Sequence, residues 1–320
     1  MTHAYYDATD VERLLDYEGC IAAVSTAMAH MTAGSADQPL RTIIPIAPGN
    51  LFAQMPGHLP GKAFGAKIIS AFADPAHLGR STHRGVVILF DPTSGEMTCI
   101  ADAGAVTEIR TAAASAMATA TLARADARHL TVFGYGAQAR SHIHAIATVR
   151  PLERVDIWGR DLVIAERFAA RLSRETLLDV RAVRDPRTAA EAADIICTVT
   201  GASQPILFGE WVRPGAHVNV VGSSHAGPVE IDDALVIRSR FVADSRQSVL
   251  AAGAEFLVAK AAGLIDDTHI VAEIGEILLG RVAGRSSERD ITVYKSLGHI
   301  AQDLASVAYV HERSLVFEPA

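Results

Sequence analysis

Gly134, Gly136 and Ala139 form a G-x-G-x-x-A pattern between a β-branched run, His129 to Phe133, and a helical segment. This spacing suits dinucleotide binding. The first glycine permits a tight turn, and the second lets backbone amides approach a pyrophosphate. The small third residue lets the helix pack on the strand, with phosphate charge facing the helix N-terminus. Gly134, Gly136, Ala137, Gln138 and Ala139 are therefore expected to cradle the pyrophosphate. Alone the pattern is weak, but here both its strand and its helix are legible, and a basic residue, Arg110, lies upstream in E-I-R-T-A-A-A-S-A.

The next strand ends in V-D-I-W-G-R-D, the place where an NAD enzyme usually puts an acid on the ribose hydroxyls. Gly159 and Arg160 come first there, and Asp161 follows. Arg160 suits a 2′-phosphate and an adenine face, so NADP(H) is favoured and NAD(H) is the alternative. Asp161 either grips ribose or caps the next helix, the latter being the expected role.

Composition bounds the rest. At 320 residues the chain is long enough for two domains. Hydrophobic residues make up 49% and charged residues 20%, ordinary for a globular α/β protein. No apolar run reaches the ~20 residues that span a bilayer, and M-T-H-A-Y-Y-D-A-T-D lacks a secretory pattern. A cytoplasmic setting without a membrane partner is expected. The net charge of −7, with no basic stripe, excludes a nucleic-acid partner from the expectation. Cys20, Cys99 and Cys197 are too scattered for a disulfide framework or zinc site. His58, His77 and His83 lack metal-ligand spacing, so no metal is expected. His142 and His144 read as helical surface or packing residues.

The elements must position these groups. Apolar residues from Asp10 to Met31 recur at helical spacing and predict one leading helix. Arg41 to Ile46 and Gly65 to Ala71 are β-like. Gly85 to Asp91 and Met97 to Asp102 flank P-T-S-G and predict a hairpin. From His129 onward strand and helix alternate: strands at Val155 to Trp158, Ala193 to Val199, His217 to Val221 and Phe241 to Ala243, with a helix at Leu162 to Leu172. That alternation predicts a doubly wound, Rossmann-type parallel sheet, an α/β class, beside a strand-rich N-terminal domain. Ile291 to Leu315 reads as one long helical pattern returning to that domain. The expected division is 1–113 completed by 296–320, and 114–295.

Segments spread over nearly the whole chain resemble the ornithine cyclodeaminase/mu-crystallin family. They are P-L-R-T near Arg41, M-P-G at Met55, F-G-A-K-I-I-S around Lys67, L-F-D-P-T-S-G at Leu89, T-E-I-R-T-A-A-A-S-A, G-Y-G-A-Q-A, E-I-G-E-I-L-L-G-R-V-A-G-R and I-T-V-Y-K-S-L-G-H-I-A-Q-D-L. The resemblance implies a homodimer paired through barrel-like N-terminal domains, and an imino or amino acid substrate bound between that domain and the nicotinamide. It also implies that Arg41, Lys67 and Arg110 clamp the substrate carboxylate, a task suited to charge-assisted donors. The bland alternative for each is a solvated surface charge, weakest for Lys67 inside the apolar run A-F-G-A-K-I-I-S-A-F. A dry pocket beside two arginines should lower the pKa of Lys67 and let it exchange a proton. Thr111, read as beginning the helix after Arg110, either donates to a phosphate or caps that helix. Thr198, Val199 and Thr200 are implied near the nicotinamide ribose and Ser296 to Gly298 near the ring, with Val221 a further cofactor-binding residue.

One departure matters. In the family's cyclodeaminases the segment matching V-V-G-S-S-H-A-G-P-V-E resembles G-A-D or G-G-D, and its aspartate acts in deamination. Here Ser224 holds that position, followed by His225, either a proton donor, a binder of a second acidic group, or a structural loop histidine. Glu230 and Asp232 read as capping or bracing the next helix. Serine is no base near neutral pH, whereas an iminium already accepts hydride. The expected activity is therefore NAD(P)H-dependent reduction of an α-imino acid, Δ1-pyrroline-2-carboxylate or iminosuccinate. The alternatives are alanine dehydrogenase-like or cyclodeaminating oxidation, and a non-catalytic mu-crystallin-like binding protein.

Overall fold

A computed structural model describes residues 4–35, 39–72 and 83–317. His77 and the side chain of His83 lie outside the described residues. The chain divides into two compact units, Met1–Arg110 with His299–Ala320, and Thr111–Gly298.

The first unit is built on a six-stranded mixed sheet: β1 (Ala4–Tyr6), β2 (Thr42–Ala47), β3 (Asn50–Leu59), β4 (Ala63–Ala71), β5 (His83–Phe90) and β6 (Met97–Asp102). Their order is β1-β6-β5-β4-β3-β2. Only β1 and β6 run parallel; β2 to β6 form an antiparallel meander. The expected hairpin is β5–β6, its turn held by Asp91 Oδ1, which accepts from Thr93 N at 2.9 Å and Ser94 N at 2.7 Å. The long strand β3 goes unseen in a sequence scan because M-P-G interrupts it. Pro56 fits there because β2 pairs no further along β3 than Gln54, so no ladder bond on that edge is lost.

Two helices, Ala8–Leu14 and Tyr17–His30, replace the single helix expected over Asp10 to Met31. The break is a capping event: Asp16 is extended and accepts from Gly19 N at 2.8 Å, starting a new helix. The C-terminal helix, Ile300–Phe317, packs on Tyr17–His30 and on β3, β4 and β5. At Gly57 of β3 an added Cβ would come within 2.6 Å of Ile300 Cγ2, so glycine there permits close docking of this helix.

The second unit carries eight strands, all parallel: β7 (His129–Phe133), β8 (Arg154–Trp158), β9 (Asp179–Ala182), β10 (Ile195–Thr198), β11 (His217–Val220), β12 (Ser239–Ala243), β13 (Ile270–Glu273) and β14 (Ile291–Lys295). The order is β13-β12-β14-β11-β10-β7-β8-β9. β10, β11 and β14 are buried at every residue, as a parallel sheet covered on both faces requires. The α/β class with a Rossmann-type sheet is what the structure shows. Strand direction of travel reverses between β7 and β10, which creates the crevice where such sheets bind ligands.

The stretch expected as one helix from Ile291 to Leu315 is strand β14 followed by the Ile300–Phe317 helix. Ile291, Val293 and Tyr294 supply apolar residues compatible with either period, but I-T-V-Y-K is β-branched and fully buried. Gly298, at φ +81°, precedes the helix.

Candidate active site

Lys67 lies on β4, on the same face as the buried Ala63 and Ile69, and is itself buried. Its ammonium donates to Thr107 Oγ1 at 2.6 Å and to Asp303 Oδ1 at 2.7 Å. Arg110 donates through Nε to the same Asp303 oxygen at 3.0 Å, and through Nη1 to Gln302 Oε1 at 2.9 Å. Asp303 Oδ2 is buried and has no hydrogen-bond partner. Burial lowers the Lys67 pKa to about 8; Asp303 pulls it upward, and the positive charges of Arg110 and Arg41 depress it. Burial alone would raise the Asp303 carboxyl, yet Arg110 and Lys67 hold it below the usual range. The first unit thus brings Lys67 and Arg110 together on one buried carboxylate, with Arg41 near enough for its charge to act on Lys67.

Arg110 and Thr111 are not at a helix start. The helix runs Ala103–Leu122 and opens eight residues before Thr111, where Asp102 Oδ1 accepts from Ala105 N at 2.8 Å. An alanine-rich run gives no period by which to place its first turn, so the earlier start was invisible. Thr111 is therefore an interior helical residue, nearly buried, and not a cap.

Asp303, Gln302, Thr107 and His299 are members of the cluster that sequence reasoning missed. The first two sat in plain view in H-I-A-Q-D-L, but an acid on a helix reads as surface. His299 Nδ1 accepts from Ala301 N at 3.3 Å. Burial and the charge of Arg41 push its pKa down to about 4, so it is neutral at ordinary pH.

In the second unit a cavity of ≈ 450 Å³ opens at the crevice between β7 and β10. Gly134, Gly136, Gly159, Arg160, Val199 and Thr200 line it, with Tyr135 and Trp158. Gly134 has φ +129°, and an added Cβ would lie 2.9 Å from Val199 O. At Gly136 an added Cβ meets nothing within 4 Å, so glycine there leaves space in front of the helix. Ala137, Gln138 and Ala139 form the first turn of helix Ala137–Val149, whose N-cap Gly136 supplies no side-chain cap. Unsatisfied N–H groups aimed past an empty Cβ position are what a diphosphate needs. Arg160 is exposed at the cavity wall, while Asp161 caps helix Leu162–Thr176 by accepting from Ile164 N at 3.1 Å. A dinucleotide fits this donor set.

Other expected cofactor residues lie apart from the cavity lining. Thr198 is fully buried and its hydroxyl donates to Glu230 Oε2 at 2.9 Å. Val221 is buried, and Ser296 is buried with a hydroxyl lacking any partner. Gly298 N donates to Asp244 Oδ2 at 2.8 Å. Ser224 is half-buried and His225 exposed, in the loop after β11.

Glu230 does not brace the next helix; Asp232 caps that helix, Asp233–Arg238, accepting from Leu235 N at 3.0 Å. Glu230 is fully buried, and its two oxygens accept from Thr198 Oγ1, Thr200 N, Thr200 Oγ1 and Gly222 N, at 2.7 to 2.9 Å. It ties the loop after β10 to the loop after β11. Behind it, Lys295 Nζ reaches Glu255 Oε2 at 2.7 Å and Ser223 Oγ at 2.6 Å, and Ser223 donates to Glu255. Among the described residues no cluster of three or more His, Cys, Asp or Glu could hold a metal, and no helix is long and apolar enough to cross a membrane.

Comparison with known proteins places this geometry. Residues 1–316 match the model of the ornithine cyclodeaminase/mu-crystallin family. The chain is 34% identical over 281 residues to the ketimine reductase mu-crystallin of Mus musculus, covering 87% of this chain and 86% of the relative. The solved Δ1-pyrroline-2-carboxylate reductase of Thermococcus litoralis, in complex with NADH and L-proline, superposes with a TM-score of 0.94 at 31% identity over 98% of both chains. An archaeal alanine dehydrogenase dimer with bound NAD superposes at 0.92 and 26% identity, over 99% of this chain and 97% of that one.

Proposed function

The chain belongs to the ornithine cyclodeaminase/mu-crystallin family, and on that premise we propose that it is an NAD(P)H-dependent reductase of a small α-imino acid. The observation that carries the reading is that Lys67 and Arg110 share one buried carboxylate, with the charge of Arg41 acting on Lys67. Two cations sharing one counter-ion leave positive charge uncompensated, which a substrate carboxylate neutralises. The relatives' names, ketimine and pyrroline-2-carboxylate reductase, support the same class of substrate.

In this reading Gly134 to Ala139 hold the pyrophosphate, and Arg41, Lys67 and Arg110 hold the substrate carboxylate. A reduced nicotinamide, when bound, would supply the hydride that the imine carbon accepts, the C=N electron pair passing to nitrogen to give the amine. Lys67, with its lowered pKa, exchanges a proton with the product nitrogen or a water. The protein's share is orientation and fixed charge. Ser224, in place of a carboxylate, supports reduction of a preformed imine over deamination.

NADP(H) is the proposed preference over NAD(H). Arg160 stands exposed on the cavity wall, and the neighbouring acid, Asp161, is engaged as a helix cap. A homodimer is also proposed. Edge strand β2 is exposed along its whole length, with Ile43, Ile44 and Ile46 at 41–57%, and the alanine dehydrogenase relative is a dimer.

Following oxidation of NADPH and NADH against Δ1-pyrroline-2-carboxylate and iminosuccinate tests the proposal. Turnover with one imine, faster with NADPH, is expected. Tight cofactor binding with no imine reduced would leave the non-catalytic reading instead.

A further inference from the structure

Arg110 is gripped at two places by one turn of a single helix. Its Nε–H meets Asp303 Oδ1 at 3.0 Å and an Nη1–H meets Gln302 Oε1 at 2.9 Å. Arg110 is 6% exposed, Gln302 and Asp303 are fully buried, and the Gln302 amide also reaches Met28 Sδ at 3.6 Å. A guanidinium carries five N–H donors in a rigid plane. With Nε and one Nη1 hydrogen committed, the remaining donors belong to Nη2 and the rest of Nη1, which form one outer edge. Such an edge binds a carboxylate in bidentate fashion, provided the plane cannot rotate.

The same helix restrains the second cation. Lys67 has three donors; Thr107 and Asp303 take two of them, and one is left. Asp303 Oδ1 therefore serves both cations, and among the described residues Gln302 and Asp303 are the side chains that fix the plane of Arg110 by hydrogen bonds. Neither cation is free to relax toward the other, because each is bound to the shared oxygen from its own side.

We propose that Gln302 and Asp303 are positioning residues for the carboxylate clamp: together they fix the guanidinium plane of Arg110 so that its outer Nη edge meets the substrate carboxylate, while Asp303 holds Lys67 beside it. The inference rests on the imino-acid reading for the identity of the carboxylate. It goes beyond that reading by assigning two residues that touch no substrate and act only through Arg110 and Lys67.

The test is steady-state kinetics of Gln302→Leu, Gln302→Glu and Asp303→Asn with Δ1-pyrroline-2-carboxylate and NADPH. A loosened guanidinium weakens substrate binding more than chemistry, so Gln302→Leu should raise the imine KM about tenfold or more with little change in kcat and in the NADPH KM. Gln302→Glu keeps an acceptor for Nη1 but adds a carboxylate that competes with the substrate's, so its imine KM should stay raised. Asp303 raises the Lys67 pKa, so Asp303→Asn should move the basic limb of the kcat/KM profile to lower pH. A purely structural role would not move that limb.

Titration with L-proline reads the same clamp without turnover, and its Kd should rise about tenfold in Gln302→Leu. If the wild type reduces no imine yet binds proline in this pattern, the proposed activity fails and the positioning roles stand. An unchanged imine KM and proline Kd in Gln302→Leu, wild-type protein that binds no proline, or a basic limb unmoved in Asp303→Asn, overturns the inference.

Discussion

Lys67 Nζ lies 2.7 Å from Asp303 Oδ1, with both side chains almost wholly removed from solvent. A buried pair of this kind is weak evidence of stability in itself, because desolvation offsets much of the attraction. Breaking it from one side is another matter. Asp303→Ala strips the counter-charge from Lys67 and Arg110 together, and a loss of roughly 3–5 kcal/mol in urea unfolding is expected. The Lys67→Met, Asp303→Leu double variant should recover part of that loss, since only Arg110 is then uncompensated. A single variant as stable as the wild type would mean that the pair does not form.

The same ammonium sets a pH dependence. Its folded pKa of about 8 lies below the ordinary 10.5. Between those values the unfolded chain holds the proton more tightly, so this group's contribution to stability rises with pH across that window. Below about pH 8 its cost is constant. Activity runs the opposite way, because the charged form binds the carboxylate. A basic limb near pH 8 in kcat/KM is expected, and Lys67→Arg should carry it beyond the measured range, an arginine staying protonated. A limb unchanged in Lys67→Arg would assign it to the substrate imine.

How much of this could be read from residues alone follows from where the information sits. The glycine loop was legible because G-Y-G-A-Q-A has fixed spacing and flanks of opposite period. β3 was hidden by Pro56 and Gly57, whose tolerance depends on β2 ending early, a fact about a partner strand. The helix start at Ala103 was hidden because alanine shows no face. Asp303 is the larger omission, and Glu230 the larger misassignment. An acidic side chain announces neither its burial nor its partners, and those partners come from 8 to 236 residues away. Glu230 was placed near the right loop and given the wrong task.

The two loop glycines should separate folding from binding. Gly134 takes φ +129°, and a Cβ there would press on the Val199 carbonyl at 2.9 Å. Gly134→Val is expected to lower stability by about 1–3 kcal/mol or more, since the backbone strain is unavoidable. Gly136 has an extended φ of −95° and open space where its Cβ would stand. Gly136→Val should fold with an unchanged melting temperature, yet obstruct the approach of a pyrophosphate. Cofactor titration by fluorescence checks this, and undiminished binding in Gly136→Val would remove the loop from the phosphate site.

Specificity between cofactors should rest on one side chain. If Arg160 holds a 2′-phosphate, Arg160→Ala should lower kcat/KM for NADPH about tenfold or more while leaving NADH nearly unchanged. Equal losses with both cofactors would point to adenine stacking alone. Equal rates before and after substitution would place recognition elsewhere.

Glu230 offers the sharpest stability contrast, because of how its acceptors are shared. Each carboxylate oxygen serves one hydroxyl and one backbone N–H: Oε1 takes Thr200 Oγ1 and Thr200 N, Oε2 takes Thr198 Oγ1 and Gly222 N. In Glu230→Gln one oxygen becomes an NH2 group. The facing hydroxyl can turn and accept from it, but the backbone N–H cannot, whichever way the amide flips. Gly222 N also donates to Thr198 O at 3.2 Å, so the amide turns its NH2 to that side and the cost stays below the ~1–3 kcal/mol of a wholly unsatisfied buried donor. Glu230→Leu leaves Thr200 N without an acceptor and Gly222 N with Thr198 O alone, and should cost more than Glu230→Gln. Urea unfolding of both variants checks the ranking. Hydrogen exchange at the Thr200 amide checks its cause, with that amide deprotected in Glu230→Leu and still protected in Glu230→Gln. Equal protection in all three proteins would show that Glu230 does not join the two loops.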